Sequence, residues 1–338
     1  MSFFRDTYLN MRFLKLLAAD FPRTRKRSRR FRQTPLKFDN NIDRWHFEHY
    51  RDGITDYCYM EWKYFNFRIE DMFGIITYLI FDPLDISKLG TGVVCGRILS
   101  KNDTWGDPHR TVPVADLSTS PENASCQIGG DSGIRVISDG EYLLYGKAGD
   151  LRWDLRCTNL STEVLECHLE GIGRFPWQDM YWQVTFPEAK YSGWIECAGR
   201  KIEVNTTGYH DGNWGEWIAF DPMWNWLHFD FPEEKIKVTV AKVKGSPQGG
   251  ILIFREGRIH SCELVRAGDI ELRTRSAAGM PHSIEVEVNT DEISFCCKTS
   301  PHLTDRFCGK VAGPIPNLVI YEQIGRARAD LSLPDQDV

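Results

Sequence analysis

Apolar residues recur at every second position over long parts of this chain. Leu151, Trp153, Leu155 and Cys157 alternate with Arg152, Asp154 and Arg156, and Leu165, Cys167 and Leu169 with Glu166, His168 and Glu170. The pattern returns at Ile236, Val238 and Val240, and at Ile284, Val286 and Val288 against Glu285 and Glu287. A period of two is met by extended backbone with one dry and one wet face. Ile75 to Phe81 is a continuous apolar run, predicted to be a strand buried on both faces. Clusters of Gly, Pro, Asn and Asp separate the runs at short intervals, which predicts an all-β chain of antiparallel barrels or sandwiches. No strand–helix alternation and no long amphipathic helix is visible after residue 40. Aromatic residues make up 12% of the chain, with 11 tryptophans. Such rings suit a pleated surface and a greasy ligand pocket.

The start of the chain reads differently. Residues 6–20 are predicted to be helical, with Asp6 as cap and Leu9, Phe13, Leu16 and Leu17 on one face that could dock on the body. Residues 22–40 are basic and punctuated by proline, and read as a connector. Residues 1–33 hold ten Lys/Arg against Asp6 and Asp20, a net charge of +8; the whole chain is −6, so the remainder carries −14. An acidic body with a short basic arm is not the composition of a nucleic-acid-binding domain. The arm is expected to fold onto the body or lie solvated, with a weak contact to an anionic membrane surface as the alternative. No stretch resembles a transmembrane helix. The ten cysteines show no metal spacing and no signal peptide is visible, so reduced thiols and a cytoplasmic location are expected. A change of unit is expected near Phe186-Pro187. The predicted division is an arm of residues 1–40, a β-domain of 41–186 and a second β-domain of 187–338.

Chemistry concentrates in Gly208-Tyr209-His210-Asp211-Gly212-Asn213-Trp214-Gly215-Glu216-Trp217. Two titratable groups sit side by side among glycines that permit tight turns or close approach. A solvated loop has little use for tryptophan, and a plain core strand little use for His-Asp. The mixture reads either as a strand entering a buried polar site or as an irregular corner. A second constellation, Tyr59-Met60-Glu61-Trp62-Lys63-Tyr64-Phe65-Asn66, sets an acid among four aromatics. GxGxxG, P-loop, GxSxG and HExxH patterns are all missing. His46 and His49, three apart, make a weak metal candidate and are expected to be exposed. An enzyme of this composition would work by acid–base chemistry, shape and aromatic surface, with no metal and no cofactor.

The two constellations, in this order, resemble the hydroxyneurosporene synthase family, which includes carotenoid hydratases and lipocalin-like Diels–Alderases. Tyr321-Glu322-Gln323-Ile324-Gly325-Arg326 is similar to that family's closing strand, and the resemblance spans roughly residues 41–328. Two departures stand out. Lys63 replaces a usual second tryptophan, and Gly212 stands where the hydratases often carry a second histidine. The resemblance implies two lipocalin-like β-domains, a pocket near their junction, a polyene or isoprenoid-derived substrate, and no cofactor. Asp211 is the expected polar centre, with His210 orienting it or sharing its proton, and Glu61 is the second candidate acid. Tyr209, Asn213, Trp62, Tyr64, Trp214, Trp217, Trp224 and Trp226 are then the candidate lining. A cofactor-free cyclase or isomerase is the expected activity, with a hydratase and a non-catalytic lipophilic carrier as alternatives. Loss of histidine at 212 favours the cyclase.

Overall fold

The computed structural model describes residues 2–20, 30–50, 53–101, 103–107, 109–173, 175, 177–218, 224–243, 246, 248–266, 269–277, 280–309 and 318–333. It is all-β, as the alternation predicts. A 14-stranded antiparallel sheet forms the body. Its strands are β1 Arg30–Lys37, β2 Tyr59–Ile69, β3 Met72–Phe81, β4 Thr91–Leu99, β5 Thr104–Trp105, β6 Arg110–Pro113, β7 Leu117–Thr119, β8 Cys126–Ile128, β9 Ser132–Ser138, β10 Glu141–Ala148, β11 Leu151–Asn159, β12 Glu163–Glu170, β13 Asp179–Cys197 and β14 Arg200–Glu216. Hydrogen bonds order them β5-β4-β3-β2-β14-β13-β11-β10-β9-β8-β7, with β6 on β4, and β12 joining β1 to β13. A second sheet runs β15 Trp224–Phe231, β16 Ile236–Val243, β17 Gln248–Arg255 and β18 Arg258–Arg266. A third runs β19 Ile270–Ala277, β20 Met280–Asn289, β21 Ser294–Gly309 and β22 Leu318–Ser332.

The large sheet curls on itself, because its apolar face must be covered and a single sheet can cover it only by bending. Tyr78 of β3 donates to the carbonyl of Tyr145 on β10, and Trp153 of β11 donates to the Tyr78 hydroxyl, each at 2.9 Å. Strands far apart in the hydrogen-bonded order therefore meet across an enclosed core of Trp45, Phe65, Tyr78, Tyr142, Trp153 and Phe186. β3 is buried along most of its length, as its apolar run requires, with the half-buried Thr77 as the polar break within it.

The outer face of β2, β13 and β14 is covered as well. Met60, Trp182, Val184 and Tyr209 from these strands share an apolar cluster with Val243 of β16 and Leu252 of β17. Helix α1, Ser2–Asp20, closes part of the same cluster. Its Phe13 is buried and meets Tyr57 edge to face at 5.6 Å. The predicted docking is present in the described side chains; that of Leu9 lies outside them. Asp6 is not a cap, since the helix already begins at Ser2. The third sheet packs on the second through Phe229, Val238, Val240, Ile251, Val286 and Phe295.

Three expectations change. The connector of 22–40 contains β1, which pairs with β12 from Arg30↔Glu170 to Lys37↔Glu163; residues 21–29 lie outside the described residues. Phe186-Pro187 falls inside the continuous strand β13, where the pairing with β14 shifts register. His46 is buried rather than exposed, and His49 lies on the one-turn helix α2, Phe47–Tyr50. The described free cysteines are buried except Cys296, whose neighbour Cys297 turns inward on the same strand.

Candidate functional site

β14 is the central strand of the body, flanked by β13 and β2. Residue parity divides its chemistry in two, since neighbouring side chains on a strand leave by opposite faces. His210, Gly212 and Trp214 point into the enclosed core. Tyr209, Asp211 and Asn213 point outward to the junction with the second sheet. On β2, Glu61, Lys63 and Phe65 point inward, and Trp62 and Tyr64 outward. His210 therefore does not orient Asp211, and the three predicted acid–base residues do not form one centre.

The inward group is a buried ion network. The Lys63 ammonium lies 3.1 Å from Asp43 and 3.4 Å from Glu61, and donates to the Arg44 carbonyl at 3.0 Å. His210 sits 2.8 Å from Asp43 through Nε2 and 2.9 Å from the Tyr64 carbonyl through Nδ1. Both ring nitrogens face oxygen atoms, one a carboxylate and one a backbone carbonyl. Glu61 also receives the His46 backbone N–H at 2.8 Å, the Tyr59 hydroxyl at 2.5 Å and a His46 ring contact at 2.9 Å. Burial pushes the Glu61 and Asp43 carboxyls up, but Lys63 and the histidines outweigh it, and both end below the ordinary range. Burial pulls the His46 imidazole down, and Glu61 beside it opposes this. A carboxyl held on its ionised side, as Glu61 is, is poorly placed to give a proton.

Trp214 belongs to this interior too. It stacks on His46 at 3.6 Å and on Tyr181 at 5.0 Å, and Tyr181 stacks on His168 at 3.9 Å. Gly212 pairs with Lys63 across the strands. A Cβ at 212 would lie 3.5 Å from the Lys63 ammonium. The two departures from the resembled pattern are thus one feature, a lysine laid over a glycine. Neither faces Asp211, so the missing histidine says nothing about the chemistry there.

The outward group is different in kind. Asp211 is 4% exposed, and Oδ2 accepts from the Trp182 indole and the Tyr209 hydroxyl, each at 2.9 Å. Among the described residues, Oδ1 accepts no hydrogen bond. Burial raises the Asp211 carboxyl to about 6, and the Trp182 and Tyr209 hydrogen bonds restrain the rise. Nearby His228 rests 4.5 Å from the Tyr209 ring and is pushed down to about 3 by burial. Between about pH 3 and 6 the Asp211 and His228 side chains are both uncharged.

Aromatic rungs run from this acid along the seam between the sheets. Tyr64, the cross-strand partner of Asp211, meets Trp226 of β15 at 5.7 Å. Trp62, the partner of Asn213, stacks on Trp224 at 6.1 Å. Trp217 stands edge-on to Trp62 at 5.6 Å. Trp62, Tyr64, Trp224 and Trp226 are half-buried, and Trp217 is fully buried. Eight of the predicted residues — Asp211, Tyr209, Asn213, Trp62, Tyr64, Trp217, Trp224 and Trp226 — therefore share the outer face, while His210, Glu61 and Trp214 do not.

Asp43, Trp182 and His228 were not among the predicted site residues. Asp43 lies 167 positions from its partner His210, and no local pattern marks it. Trp182 follows from the β13–β14 hairpin, whose turn is Ala198-Gly199 with both φ positive at 49° and 75°. Among the described residues no cluster of three or more His, Cys, Asp or Glu could hold a metal ion.

No family model matches the chain, and no curated protein matches it in sequence. Solved structures do. A protein provisionally named AttH from Nitrosomonas europaea superposes with a TM-score of 0.56 at 15% identity, over 82% of this chain and 93% of that one. CghA aligns at 9% identity with a TM-score of 0.46, over 88% of this chain and 93% of that one. At such identities the likeness to AttH is one of fold: this chain is a lipocalin-like all-β protein with a curled antiparallel sheet.

Proposed function

We propose that this protein is a cyclase or isomerase, Diels–Alderase-like in type, that folds a hydrophobic polyene or isoprenoid-derived substrate against the aromatic seam and activates it with Asp211. The observation that carries the reading is a nearly buried carboxylic acid with its ionisation raised to about 6, set beside half-buried indoles. Holding a flexible chain in one reactive shape removes much of the entropic barrier. A protonated Asp211 can donate a hydrogen bond to a substrate oxygen or a proton to an electron-rich double bond. The faces of Tyr64, Trp62, Trp224 and Trp226 would shelter developing positive charge. The same acid supports a second reading, a hydratase adding water to an isoprenoid double bond. Gly212 no longer discriminates between the two, because it faces the core.

Acyclic isoprenoid polyenes incubated with the purified protein test this by product mass. Cyclisation conserves mass, and hydration adds one water. Asp211→Asn should keep substrate binding and lower turnover by about 100-fold or more. A protein that binds these polyenes and converts none is a carrier, and both enzymatic readings then fail.

A further inference from the structure

Trp217 carries an unmet hydrogen-bonding group. Its side chain is fully buried, and its indole N–H has no acceptor among the described residues. Burying a donor without a partner is costly, and such groups persist where a function uses them. The surroundings are apolar: Trp62 lies edge-on against the ring at 5.6 Å, and Trp224 stacks on Trp62 at 6.1 Å. The next residue is anchored firmly, for the Ile218 backbone N–H donates to the Gln178 side chain at 2.7 Å. Trp217 is thus a fixed donor behind half-buried rings.

Its place along the seam matters as much as its state. Asp211 marks one end, beside the Tyr64–Trp226 rung. The Trp62–Trp224 rung follows, and Trp217 lies beyond it, six residues from Asp211 along the same strand direction. Its ring reaches back to within 5.6 Å of Trp62, whose strand position faces Asn213, two residues from Asp211. The seam has an acid at one end, with the Trp226 indole N–H beside it also lacking an acceptor among the described residues, and the Trp217 donor at the other; Asn213 and aromatic rings lie between them.

We propose that the Trp217 indole N–H binds an oxygen acceptor, a carbonyl or hydroxyl, on the far end of the substrate. The ligand of this seam is then an oxygenated polyene or isoprenoid with its reacting double bond at Asp211, not a pure hydrocarbon. This rests on the reading of the seam as a substrate site. The half-buried Trp62 ring is the group that gives way as the acceptor arrives. No bond is made or broken at Trp217, which positions the substrate.

Geranylgeranial and the C20 hydrocarbon of the same skeleton serve as probes, titrated into the full-length protein by calorimetry. Wild-type protein should bind the aldehyde more tightly, and the bound carbonyl stretch should move to lower frequency. Trp217→Phe keeps a ring and removes the N–H. It should weaken aldehyde binding by about five- to tenfold, leave hydrocarbon binding unchanged and abolish the carbonyl shift. Trp62→Phe should weaken both probes alike. Equal affinity of the wild type for the two probes, or an unshifted carbonyl, overturns the proposal without reference to any variant. If that happens while Asp211→Asn still abolishes turnover, Trp217 loses its role and the proposed function stands. If neither probe binds the wild type, both fall together.

Discussion

At the scale of single residues, the two carboxylates of β2 and β14 show how environment assigns roles. Glu61 is tied to a lysine and held ionised; Asp211 meets only neutral donors and keeps its proton to about pH 6. The Asp211 shift has a consequence for stability. Its folded value lies above the ordinary aspartate value of 3.8, so the folded state binds protons more tightly. Its contribution is therefore full at acid pH and is lost as pH rises from about 4 through 6. One unit is worth roughly 1.4 kcal/mol, so the loss is on the order of 3 kcal/mol. Asp211→Asn should be more stable than wild type at pH 8 by up to that amount, while losing turnover. Denaturant titrations at pH 5 and 8 check this, and no gain at pH 8 would contradict it. Asp82, also raised to about 6 by burial, leaves both proteins a residual slope. Lys63 predicts the opposite behaviour. Lys63→Met strands Asp43 and Glu61 without their cation and should cost about 3–5 kcal/mol, read as a fall in denaturation midpoint. A change below 1 kcal/mol would mean the network is not held as described.

At the scale of the strand, β14 must approach its neighbours closely enough to serve both faces. A Cβ at Gly208 would lie 2.0 Å from the Asn66 carbonyl of β2. Gly208→Ala should force the two strands apart and cost about 2–3 kcal/mol, with amide exchange accelerating first at Tyr64 and Asn66. Protection unchanged at those amides would refute the argument. The hairpin shows why the partner of Asp211 was hidden. Counting outward from the Ala198-Gly199 turn sets Asp211 opposite Phe186. Two register shifts in β13 move the pairing to Val184 and bring Trp182 beside the acid. A bulge inserts a residue with no mark that period or composition can detect.

For the molecule as a whole, the apolar cluster around Trp182 and Tyr209 draws residues from the large sheet, the second sheet and α1. No layer of it is closed by one sheet alone. Residues 2–266 should therefore unfold as one cooperative unit. Trp226→Ala, by opening the seam, should split the calorimetric transition in two or lower its midpoint by several degrees. A transition unmoved by Trp226→Ala would show that the seam does not couple the sheets. No helix among the described residues is long and apolar enough to cross a membrane.

The sequence alone determined that the chain is all-β and concentrated the candidate site residues in two short stretches. Period-two alternation and aromatic density are local properties that survive in any fold obeying them. It also supplied most of the outer-face lining, because Trp62 and Tyr64, like Trp224 and Trp226, are two apart and must share a face. Tertiary structure decided which acid is paired with a lysine and which meets only neutral donors. Adjacency in sequence suggested that His210 and Asp211 act together, yet a strand sends neighbours to opposite faces. Asp43, far away in the chain, became the partner of His210 when the sheet curled. Burial and charge pairing set the ionisation of each carboxyl, and both depend on which surfaces the folded sheet brings together.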